Sequence, residues 1–297
     1  MEKEPDRKRV REAVSGFLRL VYKGEFRMIK LLAVDMDGTC LDPFSRFSSQ
    51  NLAALYRAKA AGIEIVPTTG RALDCLPHVL KAHPDLFRYV IASNGALVRD
   101  MRRGQDVFHT RIPPYLVEEI IDAFQNTSVK PAAHIVGQYW VHGQWMKAQG
   151  RLVFGKDAKQ SKAAGNLYDV LREQKAYVEE IQLYFLSPKQ KRLVQKKLEG
   201  LVELHAAYTS AYVEIFDQNS SKGKALQRLA RHLGLQTGEI ACVGDGENDV
   251  FMFHVAGMSF AMGNAKPAVK KEADFVTGTN REHGVAQAVD RILHTMP

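Results

Sequence analysis

The stretch LLAVDMDGTCLD, residues 31–42, opens on four apolar residues and ends in aspartates, two of them separated by a single methionine. A short continuous apolar run marks a strand covered on both faces. Asp35 and Asp37 stand where that strand surfaces. Residues two apart on an extended chain point to the same side, so the two carboxylates repel, and one pKa rises unless a cation shares the site. Such a pair can divide into an ionised nucleophile and a protonatable acid/base. Gly38 permits a tight departure from the strand. Taken alone, D-x-D reads first as a solvated acidic turn, and only the motifs that follow turn the balance. It does not read as a calcium loop, because the glycine needed at loop position six is Cys40 here and flanking helices are missing.

Outward from this strand the pattern alternates. SSQNLAALYRAKAAG reads as a helix with serines to cap its start and Gly62 to end it. IEIVP is a second strand, a helix disturbed by Pro77 follows, and YVIAS is a third strand. Strands alternating with helices predict an α/β fold with a doubly wound, mostly parallel sheet. Between residues 99 and 208 the rhythm changes to hairpin-like pairs such as AAHIVGQYWVHG, with helices such as SPKQKRLVQKKLEG between them. That stretch is read as an inserted α+β domain. AYVEIF, the helix SKGKALQRLARHLG and the short strands IACVGD, MSFAM and DFVTG then complete the first domain. The expected organisation is a basic extension over 1–27, a discontinuous core over 28–98 and 209–297, and an insert over 99–208.

The whole chain bounds the answer further. It has 297 residues, 45% hydrophobic and 25% charged, which is ordinary globular composition. No window approaches the ~18 consecutive apolar residues of a membrane span. There is no signal-peptide pattern, and three cysteines without a CxxC pair argue against a disulfide framework. The expected compartment is the cytoplasm. The net charge of +8 is half contributed by residues 1–30, with nine Lys/Arg against five Asp/Glu. Val10, Val14, Phe17, Leu18 and Val21 recur there at helical spacing. No basic-aromatic motif points to nucleic acid, so the charge is read as favouring small anionic substrates. Oligomeric state is not legible.

Three further motifs sit at strand ends. PTTGR (67–71) offers the Thr69 hydroxyl, a donor for a phosphate oxygen, beside Gly70; threonine before glycine also serves as a cap or turn. SSKGKAL (220–226) puts Lys222 at a helix start, where anions are favoured; a surface lysine fits there too. VGDGENDVFMF (243–253) gathers Asp245, Asn248 and Asp249 within about a turn, a donor set suited to Mg²⁺ and equally to an acidic first helical turn.

Together the four motifs resemble the haloacid dehalogenase superfamily, specifically its Cof-type phosphatases. They match D-x-D-G-T, T-G-R, K-G-x-A-L and G-D-x-x-N-D in order. SNGA (93–96), AMGNA (261–265) and HGVAQAV (283–289) also look like that branch, and the insert resembles its α/β cap. The resemblance implies an Mg²⁺-dependent phosphatase of small phosphorylated metabolites, with sugar phosphates the leading class. Asp35 would attack phosphorus and form an aspartyl phosphate, and Asp37 would act as acid and then base. Mg²⁺ would bind Asp35, the Asp37 carbonyl and Asp245, with Asp249 as ligand or support. Thr69, Lys222 and Asn248 would hold the phosphoryl group, and Asn94, Gly95 and Arg71 would line the substrate side. The cap would close and exclude water. A sugar phosphomutase, a non-catalytic phospholigand sensor, and a membrane- or nucleic-acid-associated role through the basic head are the rival readings. Tyr139, Trp140, His142, Trp145 and Lys147 mix stacking surface with polar tips as specificity candidates, or serve as cap packing.

Overall fold

The computed structural model describes residues 28–42 and 45–295, so the basic extension and its amphipathic pattern lie outside the described residues. The described residues divide into two compact units, one of residues 28–68, 83–90 and 222–295, the other of residues 69–82 and 91–221.

In the first unit β1 (Leu31–Asp35) is fully buried, as its apolar run requires. Helix α1 (Ser49–Ala60) starts where the Ser48 side chain accepts the Asn51 N–H, and its chain leaves through Gly62 at a φ of 84°. It leads into β2 (Glu64–Thr68). Pro77 breaks the next helix, so that only α2 (His78–Ala82), a segment of the second unit, is helical beyond it. Strand β3 (Tyr89–Ala92) carries the chain into the second unit.

The first unit resumes at α7 (Lys222–His232), with β12 (Ile240–Gly244), α8 (Val250–Phe253), β13 (Met258–Ala261), α9 (Pro267–Glu272), β14 (Phe275–Val276) and α10 (Gly284–His294). Its strands run in the order β14-β13-β12-β1-β2, all parallel. Helix α10 packs on α1. This order makes β1 and β12 neighbours, so the acidic ends of both strands emerge side by side. Ligands of open parallel sheets bind at that carboxyl edge.

The second unit begins its strands with the hairpin β4 (Leu97–Asp100) and β5 (Gln105–His109). Then follow α3 (Pro114–Phe124), β6 (Lys130–Ile135), β7 (Gln138–His142), α4 (Gly143–Phe154), β8 (Lys162–Ala164), α5 (Leu167–Glu173), β9 (Val178–Tyr184), α6 (Pro188–Leu198), β10 (Leu204–Tyr208) and β11 (Tyr212–Asp217). Six strands form a mixed sheet in the order β10-β11-β9-β6-β7-β8. Ile181, Leu183, Val213 and Ile215 on one face pack with Ile120, Leu171 and Val194 of the helices. The fold is therefore α/β, a mostly parallel core sheet with a second, mixed sheet inserted, as the alternation of elements predicts.

The β6–β7 hairpin turns on Val136 and Gly137, both at positive φ (53° and 71°). Two-residue turns of this kind suit glycine and asparagine, whereas a β-branched side chain is strained there. Val136 is 54% exposed, so it gains little from burial. Val136→Asn is expected to raise stability by about 1 kcal/mol, measured as a later urea midpoint at unchanged slope. An earlier midpoint would contradict the strain.

Candidate active site

Four side chains of the first unit converge at the ends of β1 and β12. Lys222, the first residue of α7, is 2% exposed and ion-pairs with both Asp35 and Asp249 (2.7 Å to the latter). Gly223 allows this placement, because a Cβ there would stand 2.1 Å from the Phe251 carbonyl oxygen of α8. Asp35, Asp245 and Asp249 each offer a carboxylate oxygen, all within 4.8 Å of one another.

The loop after β12 is held by Asp249. Its Oδ2 accepts the backbone N–H of Asp245 and of Gly246, both at 2.9 Å, while Oδ1 takes the Lys222 ammonium at 2.7 Å. Asp245 is steered from β1's side: Thr39 Oγ1 donates to its Oδ1 (2.7 Å), and Asn264 Nδ2 reaches its Oδ2 (3.2 Å) and the Gly38 carbonyl (2.8 Å). Gly38 has a φ of 85°, and a Cβ there would meet the Asp245 carboxylate at 2.6 Å. Glycine is thus required twice over at this position.

The electrostatics follow from one ammonium among three carboxylates. Burial and the charges of Asp249 and Asp245 push the Asp35 carboxyl well above its usual range, against the pull of Lys222. Burial and the Asp249 charge likewise raise Asp245, opposed by the Thr39 hydrogen bond. Burial works against the Lys222 ammonium, yet Asp249 and Asp35 outweigh it and raise its pKa. The cluster is short of positive charge. Three hard oxygen donors in that condition fit a divalent cation such as Mg²⁺.

Asp37 differs from the strand-based expectation. The chain turns at Met36, whose carbonyl accepts the N–H groups of Cys40 and Leu41, so Asp37 lies beyond the extended segment. Asp35 is buried and Asp37 exposed. Asn248 lies in the short 3₁₀ turn Glu247–Asp249 that follows β12.

The remaining predicted residues belong to the second unit, where they gather on their own. Thr69 Oγ1 accepts the Arg71 N–H (3.1 Å), which leaves its O–H as a donor. Arg71 ion-pairs with the buried Asp157 (2.7 Å). Asn94 donates to Glu180 and Glu214 through its amide, and Gly95 follows it at a φ of 95°. The aromatic stretch is split by strand alternation. Tyr139 bonds through its hydroxyl to Gln182 and Tyr184, Trp140 packs on the apolar core, and Trp145 is 67% exposed. Sequence reasoning missed Thr39, Asn264, Asp157 and the glutamates. Thr39 and Asn264 were in view inside D-x-D-G-T and AMGNA. The sequence signal for Glu179 and Glu180 is two adjacent acids, with Gln182 close behind, in the strand-like run VEEIQLYF.

Comparison with known proteins gives the family of the chain. The family described as haloacid dehalogenase-like hydrolase matches residues 32–289. The 5-amino-6-(5-phospho-D-ribitylamino)uracil phosphatase YwtE of Bacillus subtilis is 29% identical over 89% of this chain and 98% of its own. The HMP-PP phosphatase of Klebsiella pneumoniae is 30% identical over 82% of this chain and 88% of its own. Among solved structures, a haloacid dehalogenase-like hydrolase from B. subtilis superposes with a TM-score of 0.77 at 27% identity, covering 88% of this chain and 99% of that one. No helix among the described residues is long and apolar enough to cross a membrane.

Proposed function

The chain belongs to the haloacid dehalogenase-like hydrolases, as a phosphatase of the Cof-type branch with an inserted cap, and we propose that it hydrolyses a phosphorylated sugar or polyol through an aspartyl phosphate on Asp35. The observation that carries this reading is the convergence of Asp35, Asp245 and Asp249 on the buried Lys222. A sensor of phospholigands needs no buried carboxylate cluster aimed at its ligand, whereas phosphoryl transfer is mostly positioning and charge stabilisation.

Mg²⁺ would be held by the Asp35 carboxylate, the Asp37 backbone carbonyl and Asp245. When bound, it offsets the repulsion between an anionic nucleophile and a phosphate dianion. An Asp35 oxygen forms the new bond to phosphorus as the bond from phosphorus to the leaving oxygen breaks. Asp37 gives that oxygen its proton, and its exposure suits a group that must then take a proton from attacking water. Water releases phosphate and restores Asp35. Lys222 stays charged, because its two carboxylate partners raise its pKa, and stabilises the transferring group together with Asn248 and the Thr69 hydroxyl. Asp249 orients the lysine and the Asp245 loop, since both of its oxygens already accept hydrogen bonds.

The substrate class rests on two supports. The chain carries an excess of positive charge, which suits an anionic metabolite. YwtE, by its name, acts on a phosphorylated ribityl compound. The test is phosphate release from sugar phosphates, ribityl phosphates, nucleotides, pyridoxal phosphate and flavin mononucleotide, with Mg²⁺ and with chelator. Metal-dependent release, fastest from a sugar or polyol phosphate, is expected. Release from none of them would overturn the proposal, and an isomerised hexose phosphate in place of free phosphate would replace it with a mutase.

A further inference from the structure

The turn after β3 is strained. Ser93, Asn94 and Gly95 take φ values of 48°, 51° and 95° in succession, a region that asparagine and glycine tolerate but that disfavours the Ser93 side chain. Such strain persists only where the surroundings over-determine it. Here they do. Ser93 Oγ donates to Glu179 Oε2 (3.1 Å) and lies 3.0 Å from His134 Nδ1. Asn94 Nδ2 donates to Glu180 Oε2 and to Glu214 Oε2, both at 3.0 Å. Two glutamates, from the neighbouring strands β9 and β11, thus meet one amide nitrogen. Glu180 is fixed in turn by the Gln182 amide, which donates to its Oε1 at 2.8 Å.

A bulge in β9 makes room for this arrangement. His134 pairs with Glu180 and Ile135 with Val178, so Glu179 is the unpaired extra residue. It accepts from Ser93 Oγ and the Gly137 N–H (2.7 Å), and pairs with His109 Nε2 (2.7 Å).

The turn in its turn holds Thr69, Gly70 and Arg71. Asn94 N–H donates to the Thr69 carbonyl (3.1 Å), Ser93 N–H to the Arg71 carbonyl (2.9 Å), and Thr69 N–H to the Ile91 carbonyl (2.9 Å). The Asn94 amide also lies against Gly70: a Cβ there would stand 3.1 Å from its Oδ1 and 3.2 Å from its Nδ2. The contacts run without a gap from the sheet carboxylates through the Asn94 amide to the loop.

We propose that Glu180 and Glu214 are positioning residues which, through the amide of Asn94, set the Thr69–Gly70–Arg71 loop for holding the phosphoryl group. The proposal rests on the reading that Thr69 contacts that group. Its chemistry requires an N–H donor at position 94. An aspartate there would add a third carboxylate to the pair, and a glutamine at 214 would give a donor back.

The test is a swap of donor and acceptor. Asn94→Asp is expected to speed amide hydrogen exchange in the peptide covering residues 69–71 about tenfold and to lower kcat/KM about 10²-fold. Asn94→Asp combined with Glu214→Gln is expected to bring both most of the way back, a rescue that a merely structural role for Glu214 would not give. Wild-type exchange in Asn94→Asp, or exchange in the double variant as fast as in the single, overturns the proposal. Should Asn94→Asp not fold, Glu214→Ala takes its place. It should raise exchange several-fold at 69–71, with the β9 peptides unchanged, and wild-type exchange in that loop overturns the proposal equally. If the wild-type protein releases no phosphate, the functional reading fails, while the exchange measurement still decides whether the carboxylates set the loop.

Discussion

Asp35→Asn abolishes phosphate release, with kcat falling on the order of 10⁴-fold or more, while the protein stays at least as stable as wild type. Both halves follow from the same geometry. The reaction needs an anionic oxygen at position 35 to form the bond to phosphorus, and an amide oxygen is too weak a nucleophile to replace it. The fold needs only an oxygen that accepts from Lys222, which asparagine keeps. Burial first, and then the charges of Asp249 and Asp245, push the Asp35 carboxyl well above the usual range, so losing its charge relieves both the desolvation and the repulsion. Asp37→Asn should cost less, roughly 10²- to 10⁴-fold, because an exposed acid/base can be partly replaced by water. The measurement is phosphate release with Mg²⁺ on the best substrate of the panel, alongside urea unfolding and phosphoryl incorporation in single turnover. Near-normal turnover in Asp35→Asn would falsify the nucleophile assignment. A large loss of stability would show instead that the cluster relies on this charge to fold.

How much of this was legible in the sequence depends on how local the cause is. The α/β class was legible, because covered parallel strands read as apolar runs and α1 carries its own serine cap and terminal glycine. The acids at the ends of β1 and β12 were legible as chemistry because the topology makes those strands neighbours, and the four ordered motifs signalled that topology. Asp37 shows where local reasoning stops. Two-residue spacing implies a shared side only while the chain stays extended, and the turn at Met36 ends that condition one residue too early. Arg71 and Asn94 show a second limit. Their motifs named them, but their partners Asp157, Glu180 and Glu214 lie about 86 to 120 residues away in the chain. Glutamates at strand positions carry no mark of the amide they will meet, because a pairing of that range is set by sheet register.

Lys222→Met is expected to cost about 3–5 kcal/mol of folding stability, a large share of the margin of an ordinary domain, as well as the activity. Methionine fills the space of the lysine stem, so little packing is lost. What goes is the ammonium that pairs with Asp35 and Asp249 in a site where the lysine is 2% exposed. Two buried carboxylates are then left facing each other and Asp245, which is the expensive half of a broken buried ion pair. Two further measurements separate this cause from general damage to the fold. Adding Asp249→Asn to Lys222→Met removes one of the stranded charges while keeping an oxygen for the Asp245 and Gly246 N–H groups. The double variant should therefore lose less than the sum of the singles, with a coupling of about 1–3 kcal/mol in urea unfolding. Millimolar Mg²⁺ should stabilise Lys222→Met more than it stabilises wild type, because a cation that binds only the folded state adds stability in proportion to its affinity, and the loss of the competing ammonium raises that affinity. Strict additivity, together with an equal Mg²⁺ response in the two proteins, would mean that Lys222 holds the helix start by packing, and that the three aspartates do not act as one charge-deficient cluster.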